Sequence, residues 1–259
     1  MDKTANSKRL SAAGEKFLQR ANEEELENNL CGALLYLNFA IKFNPEHAYL
    51  YYKRALLKFK TKNMVGSMDD FTKSLTLDPR VLPFLERARL KSLLKDYKGA
   101  IKDYNELIKI SPVLSSVLCE RGIIKQKMVD LNGAFIDFSN CIDIDPGNER
   151  FYFHRASVAY QLGLIDKSLK DYDKAIQVKP EYSSAYFCRG LIFFDLNRLD
   201  LAVEDFSQAI AFYQEFRSAF LFRGKTFLKL KKILAAQADF KKVNAILTKR
   251  KKSKGITTK

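Results

Sequence analysis

The chain has 259 residues, 47% of them hydrophobic and 29% charged, with a net charge of +15, two histidines, four cysteines and no tryptophan. That apolar fraction can fill a continuous core, no run of about eighteen apolar residues offers a membrane span, and the opening Met1-Asp2-Lys3-Thr4 lacks the apolar stretch of a secretion signal. A soluble, unsecreted protein of the cytoplasm is expected, with Cys31, Cys119, Cys141 and Cys188 as reduced packing residues.

Residues 1–13 read as an arm or the start of a first helix, and a periodic pattern follows. Arginine precedes a small residue at Arg54, Arg87, Arg121, Arg155, Arg189 and Arg223, in steps of 33, 34, 34, 34 and 34 residues. Sixteen residues after each comes an aspartate followed by an aromatic: Asp70, Asp103, Asp137, Asp171, Asp205 and Asp239. Stepping back 34 from Arg54 gives Arg20, a first and more worn copy whose aspartate position holds Tyr36. The repeats fall at about 14–47, 48–81, 82–114, 115–148, 149–182, 183–216 and 217–250, leaving 251–259 as a basic flexible tail. Each copy predicts two helices. In the fifth, Leu162-Gly163 breaks the first, Leu169, Tyr172, Ala175 and Ile176 share one face of the second, and Pro180 ends it. The 33-residue step places one missing residue in the turn near Pro83.

Aromatic or leucine three before the arginine, a small residue four before the second aromatic, and a closing proline together resemble the tetratricopeptide repeat. The resemblance covers about residues 14–250, with Tyr or Phe in place of the family's Trp and Arg in place of its Leu. It implies an all-α fold, a right-handed alpha-solenoid of tandem 34-residue helix-turn-helix repeats, with nearest-neighbour packing.

The periodic charges read as structural ion pairs, Arg and Asp of one repeat joined between its helices, as Arg155 with Asp171. The competing arrangement joins Asp137 to Arg155 across repeats. Enzymatic motifs are missing: His47 and His154 stand far apart without metal-ligand spacing, and Gly224-Lys225-Thr226 lacks the earlier glycine of a phosphate loop. No enzyme, metal or cofactor is expected.

Family resemblance places ligands along a concave wall of first helices, at positions two before and five after each arginine. These give Tyr52, Phe59, Leu85, Phe153, Tyr160, Phe187, Phe194, Leu221 and Leu228, with Arg150 and His154 flanking the aromatic centre of repeats five and six. The expected function is a non-catalytic scaffold or adaptor holding a peptide or helical segment of a partner protein, for which an acidic portion is one option. A co-chaperone-like adaptor would lack the usual carboxylate clamp, since Leu18, Lys53, Leu82 and Glu86 replace its residues. Residues 217–259 hold fourteen Lys and Arg against Asp239 alone. Lys225, Lys229, Lys249, Arg250, Lys251 and Lys252 form a basic end that suits an acidic contact, nuclear import or a merely solubilising end. The rival reading is therefore a nucleic-acid-associated or nuclear protein using that end.

Overall fold

Proline and turn residues cut the chain into short amphipathic segments, and the computed structural model forms a helix from each. It describes residues 9–79 and 81–253, with no side-chain detail at 81 or from 250 onward. Among the described residues there are fourteen helices and no strand: α1 Ala12–Leu26, α2 Leu30–Phe43, α3 Ala48–Lys60, α4 Met64–Leu77, α5 Val81–Leu93, α6 Tyr97–Ile110, α7 Ser115–Lys127, α8 Leu131–Ile144, α9 Glu149–Gln161, α10 Ile165–Val178, α11 Ser183–Asp195, α12 Leu199–Phe212, α13 Arg217–Lys229 and α14 Ile233–Ser253. Odd-numbered helices are the first of each pair. The chain divides within α7 into two compact units, 1–124 and 125–259.

In the first unit α1 packs on α2, α3 on α4 and α5 on α6, and α2 and α4 pack on the helix that follows. In the second, α9 pairs with α10, α11 with α12 and α13 with α14, while α8, α10 and α12 meet the next first helix. Small residues make this closeness possible. Ala33, Ser67, Ala100, Ala134, Ser168, Ala202 and Ala236 are all fully buried at one register. Where serine takes the place, its hydroxyl donates to a first-helix carbonyl, Ser67 to Ala55 and Ser168 to Ala156, each at 2.8 Å. The hydroxyl is thereby satisfied in a site with no room for water. Phe71, Tyr104, Phe138 and Phe206 fill the interior beside them.

Second-helix starts differ along the chain. Asn29, Asn63, Asp96 and Asp130 cap α2, α4, α6 and α8 by accepting from the backbone N–H of a glycine three residues on. Leu164 and Arg198 begin α10 and α12 without a side-chain cap. Every helix-pair turn also contains a left-handed residue at one register: Asn28, Lys62, Lys95, Val129, Gly163, Asn197 and Lys231. Valine is the worst suited, because its branched Cβ crowds the backbone at the φ of 64° that Val129 adopts. Val129→Asn should stabilise the protein by about 1 kcal/mol in denaturant titration. Asn197→Val should destabilise it by a similar amount.

Candidate functional site

The arginine ladder is a set of three-helix junctions. Arg155 donates from Nε and Nη2 to Asp171 at 2.8 and 2.7 Å, and the same two-pronged pairing joins Arg54 to Asp70, Arg87 to Asp103, Arg189 to Asp205 and Arg223 to Asp239. The partner is thus the carboxylate of the same repeat. The guanidinium's remaining arm reaches back to the preceding second helix: Arg54 to Asn38, Arg87 to Thr72, Arg121 to Asn105, Arg155 to Ser139, Arg189 to Asp173 and Arg223 to Ser207. One residue therefore ties its own helix pair together and joins it to the pair before. Arg20, whose repeat has Tyr36 instead of aspartate, pairs only with exposed Glu23 among the described residues. The acceptors of the third arm stand two residues past each aspartate, or past Tyr36 in the first repeat, and their varied chemistry leaves no recurring charge to mark them.

A second cation was also overlooked by the arginine frame. Lys58, Lys91 and Lys125, each four residues after an arginine, contact Asp70, Asp103 and Asp137 at 2.8, 2.8 and 2.9 Å. In the following repeats that position holds Ala159, Phe193 and Phe227, and the Arg189 and Arg223 guanidinia lie over the Phe193 and Phe227 rings. Burial pushes the Asp205 carboxyl above its ordinary value even with Arg189 bound to it, so a single cation only partly offsets desolvation there.

The first-helix face of the first unit is closed by its own charges. Lys53 and Lys60 both hold Glu25, with Lys53 at 3.0 Å, and the Lys60 contact leads in keeping the carboxyl below its usual range. Arg89 clasps Glu120 at 2.6 Å and Glu86 at 2.9 Å, and the buried Tyr104 hydroxyl donates to Glu120 at 2.8 Å. Tyr52 tilts onto Phe71, Leu85 packs on the Ala88–Tyr104 cluster, and Phe59 is exposed.

The corresponding face of the second unit, along α9, α11 and α13, is aromatic and cationic. Tyr160 on α9 donates to Asp195 on α11, which is the first cause of its raised pKa. The Lys229 ammonium on α13 sits 4.1 Å from the centre of the Phe194 ring, and Lys225 sits 4.7 Å from that of Phe222. Among the described residues neither lysine has a carboxylate partner within ion-pair distance. Phe187 is a wedge rather than a free surface, with ring centres of Phe216, Phe206 and Phe222 at 4.9, 5.8 and 5.9 Å. Phe153 likewise contacts Tyr172, Tyr182 and His154, and His154 stacks on Phe138 at 5.3 Å. Leu221 supports the Phe220–Val243–Ile246 cluster, while Leu228 and Arg150 are exposed. Asp195 and Phe222, six after and one before an arginine, complete this face and lie just outside the positions picked by register.

At the basic end, Lys225, Lys229 and Lys249 are exposed, and Lys249 pairs with Glu215. The side chains of Arg250, Lys251 and Lys252 lie outside the described residues, although α14 continues to Ser253. Among the described residues no group of His, Cys, Asp and Glu is placed to hold a metal ion, and no helix is long and apolar enough to cross a membrane.

Paired helices tied to their predecessors by a repeated polar junction define a tandem-repeat helical array of the interaction-scaffold class. Residues 84–113 and 183–215 match the tetratricopeptide repeat model, residues 156–196 match the TPR repeat model, and the fourteen helices of the described residues fit about seven tandem repeats of that kind. A tetratricopeptide repeat protein from Parabacteroides merdae superposes with a TM-score of 0.71 at 20% identity, covering 91% of this chain and 94% of that one. The C-terminal part of a TPR repeat-containing protein from Cytophaga hutchinsonii gives 0.74 at 13% identity, covering 93% and 100%. YrrB, described as a TPR protein with an unusual peptide-binding site, gives 0.54 at 18% identity over 68% of this chain and 91% of that one. Among curated proteins, human serine/threonine-protein phosphatase 5 is 25% identical over 99 residues, which is 38% of this chain but only 20% of that enzyme.

Proposed function

We propose that the chain is a non-catalytic adaptor that captures an extended or helical segment of a partner protein on the α9–α11–α13 face of its second unit. The segment carries an apolar side chain and a carboxylate. The observation that carries this reading is the contrast between two faces of one repeat design. Glu25 already holds Lys53 and Lys60, and Glu86 and Glu120 hold Arg89, whereas among the described residues Lys225 and Lys229 stand over aromatic rings with no carboxylate of their own. An incoming carboxylate would meet the exposed ammonium groups of Lys225 and Lys229 beside Phe194 and Leu228, where an apolar neighbour could pack. The peptide-binding site named for YrrB fits the same class of function.

Tyr160 and Phe194 are better probes than Phe153 or Phe187, because truncating a wedge between repeats would disturb packing as well as binding. Fluorescence anisotropy with labelled peptides that place Phe or Leu beside paired Glu, against their Gln counterparts, tests the proposal. Phe194→Ala should weaken binding of the acidic peptide about thirtyfold, as for a central hot spot. Lys225→Glu with Lys229→Glu should abolish the preference for Glu over Gln. Equal binding by all three proteins, or loss caused by Phe59→Ala instead, would remove this face as the site.

A further inference from the structure

The turn between α13 and α14 has a chemistry unlike the other helix-pair turns of the second unit. Those turns each have an acid at the helix start: Asp130 as a cap, Asp166, and Asp200. The last turn reads Leu230-Lys231-Lys232-Ile233-Leu234, and the first turn of α14 holds no acid. Leu234 is 82% exposed, more than any other large hydrophobic among the described residues of the second unit, and Ile233 is 50% exposed. Lys229, Lys231 and Lys232 beside them are exposed and, among the described residues, form no ion pair. Charge accumulates around the turn, because residues 217–249 hold nine Lys and Arg against Asp239, whose carboxylate is already taken by Arg223.

We propose that this turn is a peripheral contact for an anionic lipid bilayer, with Ile233 and Leu234 entering the headgroup layer and the lysines meeting lipid phosphates and carboxylates. Two protruding aliphatic side chains on a tight turn match a planar, yielding interface that is anionic outside and apolar beneath. An acidic protein would need a concave pocket to bury Leu234. Single-stranded nucleic acid is held by aromatic platforms among cations, and this turn offers aliphatic groups instead. The contact stays at the surface, in keeping with the lack of any membrane-spanning helix among the described residues. Lys229 borders both sites, whereas Lys231, Lys232, Ile233 and Leu234 belong to the turn alone, so the two are separable by mutation.

Co-sedimentation of the full-length protein with phosphatidylcholine vesicles, with and without phosphatidylserine, tests the contact. Binding is expected only with phosphatidylserine and should weaken as salt rises. Ile233→Ser with Leu234→Ser keeps every charge and should reduce binding about tenfold without changing the melting temperature. Lys231→Gln with Lys232→Gln should reduce it roughly thirtyfold. Leu164→Ser, at an equivalent exposed turn beside Asp166, should bind vesicles like the unaltered protein, and so should Phe194→Ala. The proposal is overturned if the double serine variant binds normally, which would assign binding to the Lys249–Lys254 run by charge alone. It is also overturned if phosphatidylserine makes no difference, or if single-stranded RNA or polyglutamate binds as tightly and with the same dependence on Ile233 and Leu234.

Discussion

Asp103→Ala is expected to lower the unfolding free energy by about 3–5 kcal/mol, because it leaves two cations in a partly buried site without their counter-charge. The Asp103 side chain is 3% exposed, and Arg87 and Lys91 converge on it at 2.8 Å with exposures of 15% and 17%. The lost attraction is not replaced by solvation, since helix packing admits little water around either cation. Asp171→Ala should fall at the lower end of the same range, as it strands only Arg155. Arg20→Ala supplies the internal control: the side chain is 62% exposed, its partner Glu23 is 43% exposed, and its loss should cost no more than about 0.5 kcal/mol. Guanidinium titration followed by far-UV circular dichroism measures all three. Equal costs for Asp103→Ala and Arg20→Ala would mean that the ladder is ordinary surface charge. Because the junctions also link successive pairs, Asp103→Ala should broaden the transition as neighbouring repeats uncouple.

The ladder also shows which kinds of contact can be read from sequence. Arg and Asp recur because the same helix crossing repeats, so the same two residue types are selected at a spacing of sixteen. The arginine's third arm needs only an acceptor, which Asn38, Thr72, Ser139 and Asp173 all provide, and no single residue type marks it. Lys58, Lys91 and Lys125 were open to the same register argument but occupy only part of the array. The left-handed turn residue is still less visible, since glycine, the usual sign of positive φ, appears only at Gly163. On the candidate face, register selects Phe187 and Phe194 equally. Their difference comes from neighbours: Phe216, Phe206 and Phe222 enclose the first ring, while the second, also half-buried, meets Phe222 edge-on and carries the exposed Lys229. The surroundings of a repeat position are thus decided by the next pair of helices, which a single-repeat pattern does not contain.

His154 should make the stability of the second unit depend on acidity. Its imidazole lies flat on Phe138 and edge-on to Phe153, and burial, helped by the positive charge of Arg150, lowers its pKa from 6.5 to about 4. The folded state therefore favours the neutral ring. Its contribution is fully present above pH 6.5 and is lost as pH falls toward 4, because the unfolded chain binds the proton first. From those two values the loss is roughly 2 kcal/mol at pH 5 and about 3 kcal/mol at pH 4. His154→Phe keeps an aromatic ring between Phe138 and Phe153 but cannot titrate. Denaturant titrations of both proteins at pH 7, 5 and 4 should diverge by these amounts, with the variant more resistant to acid. Parallel curves would show that the ring is hydrated enough to protonate in place. Since Phe153 leans on His154 and also on Tyr172 and Tyr182, protonation would first loosen the α9 side of the candidate face. Below pH 5 peptide affinity should then fall further in the unaltered protein than in His154→Phe, where only titration of the peptide's own carboxylates remains.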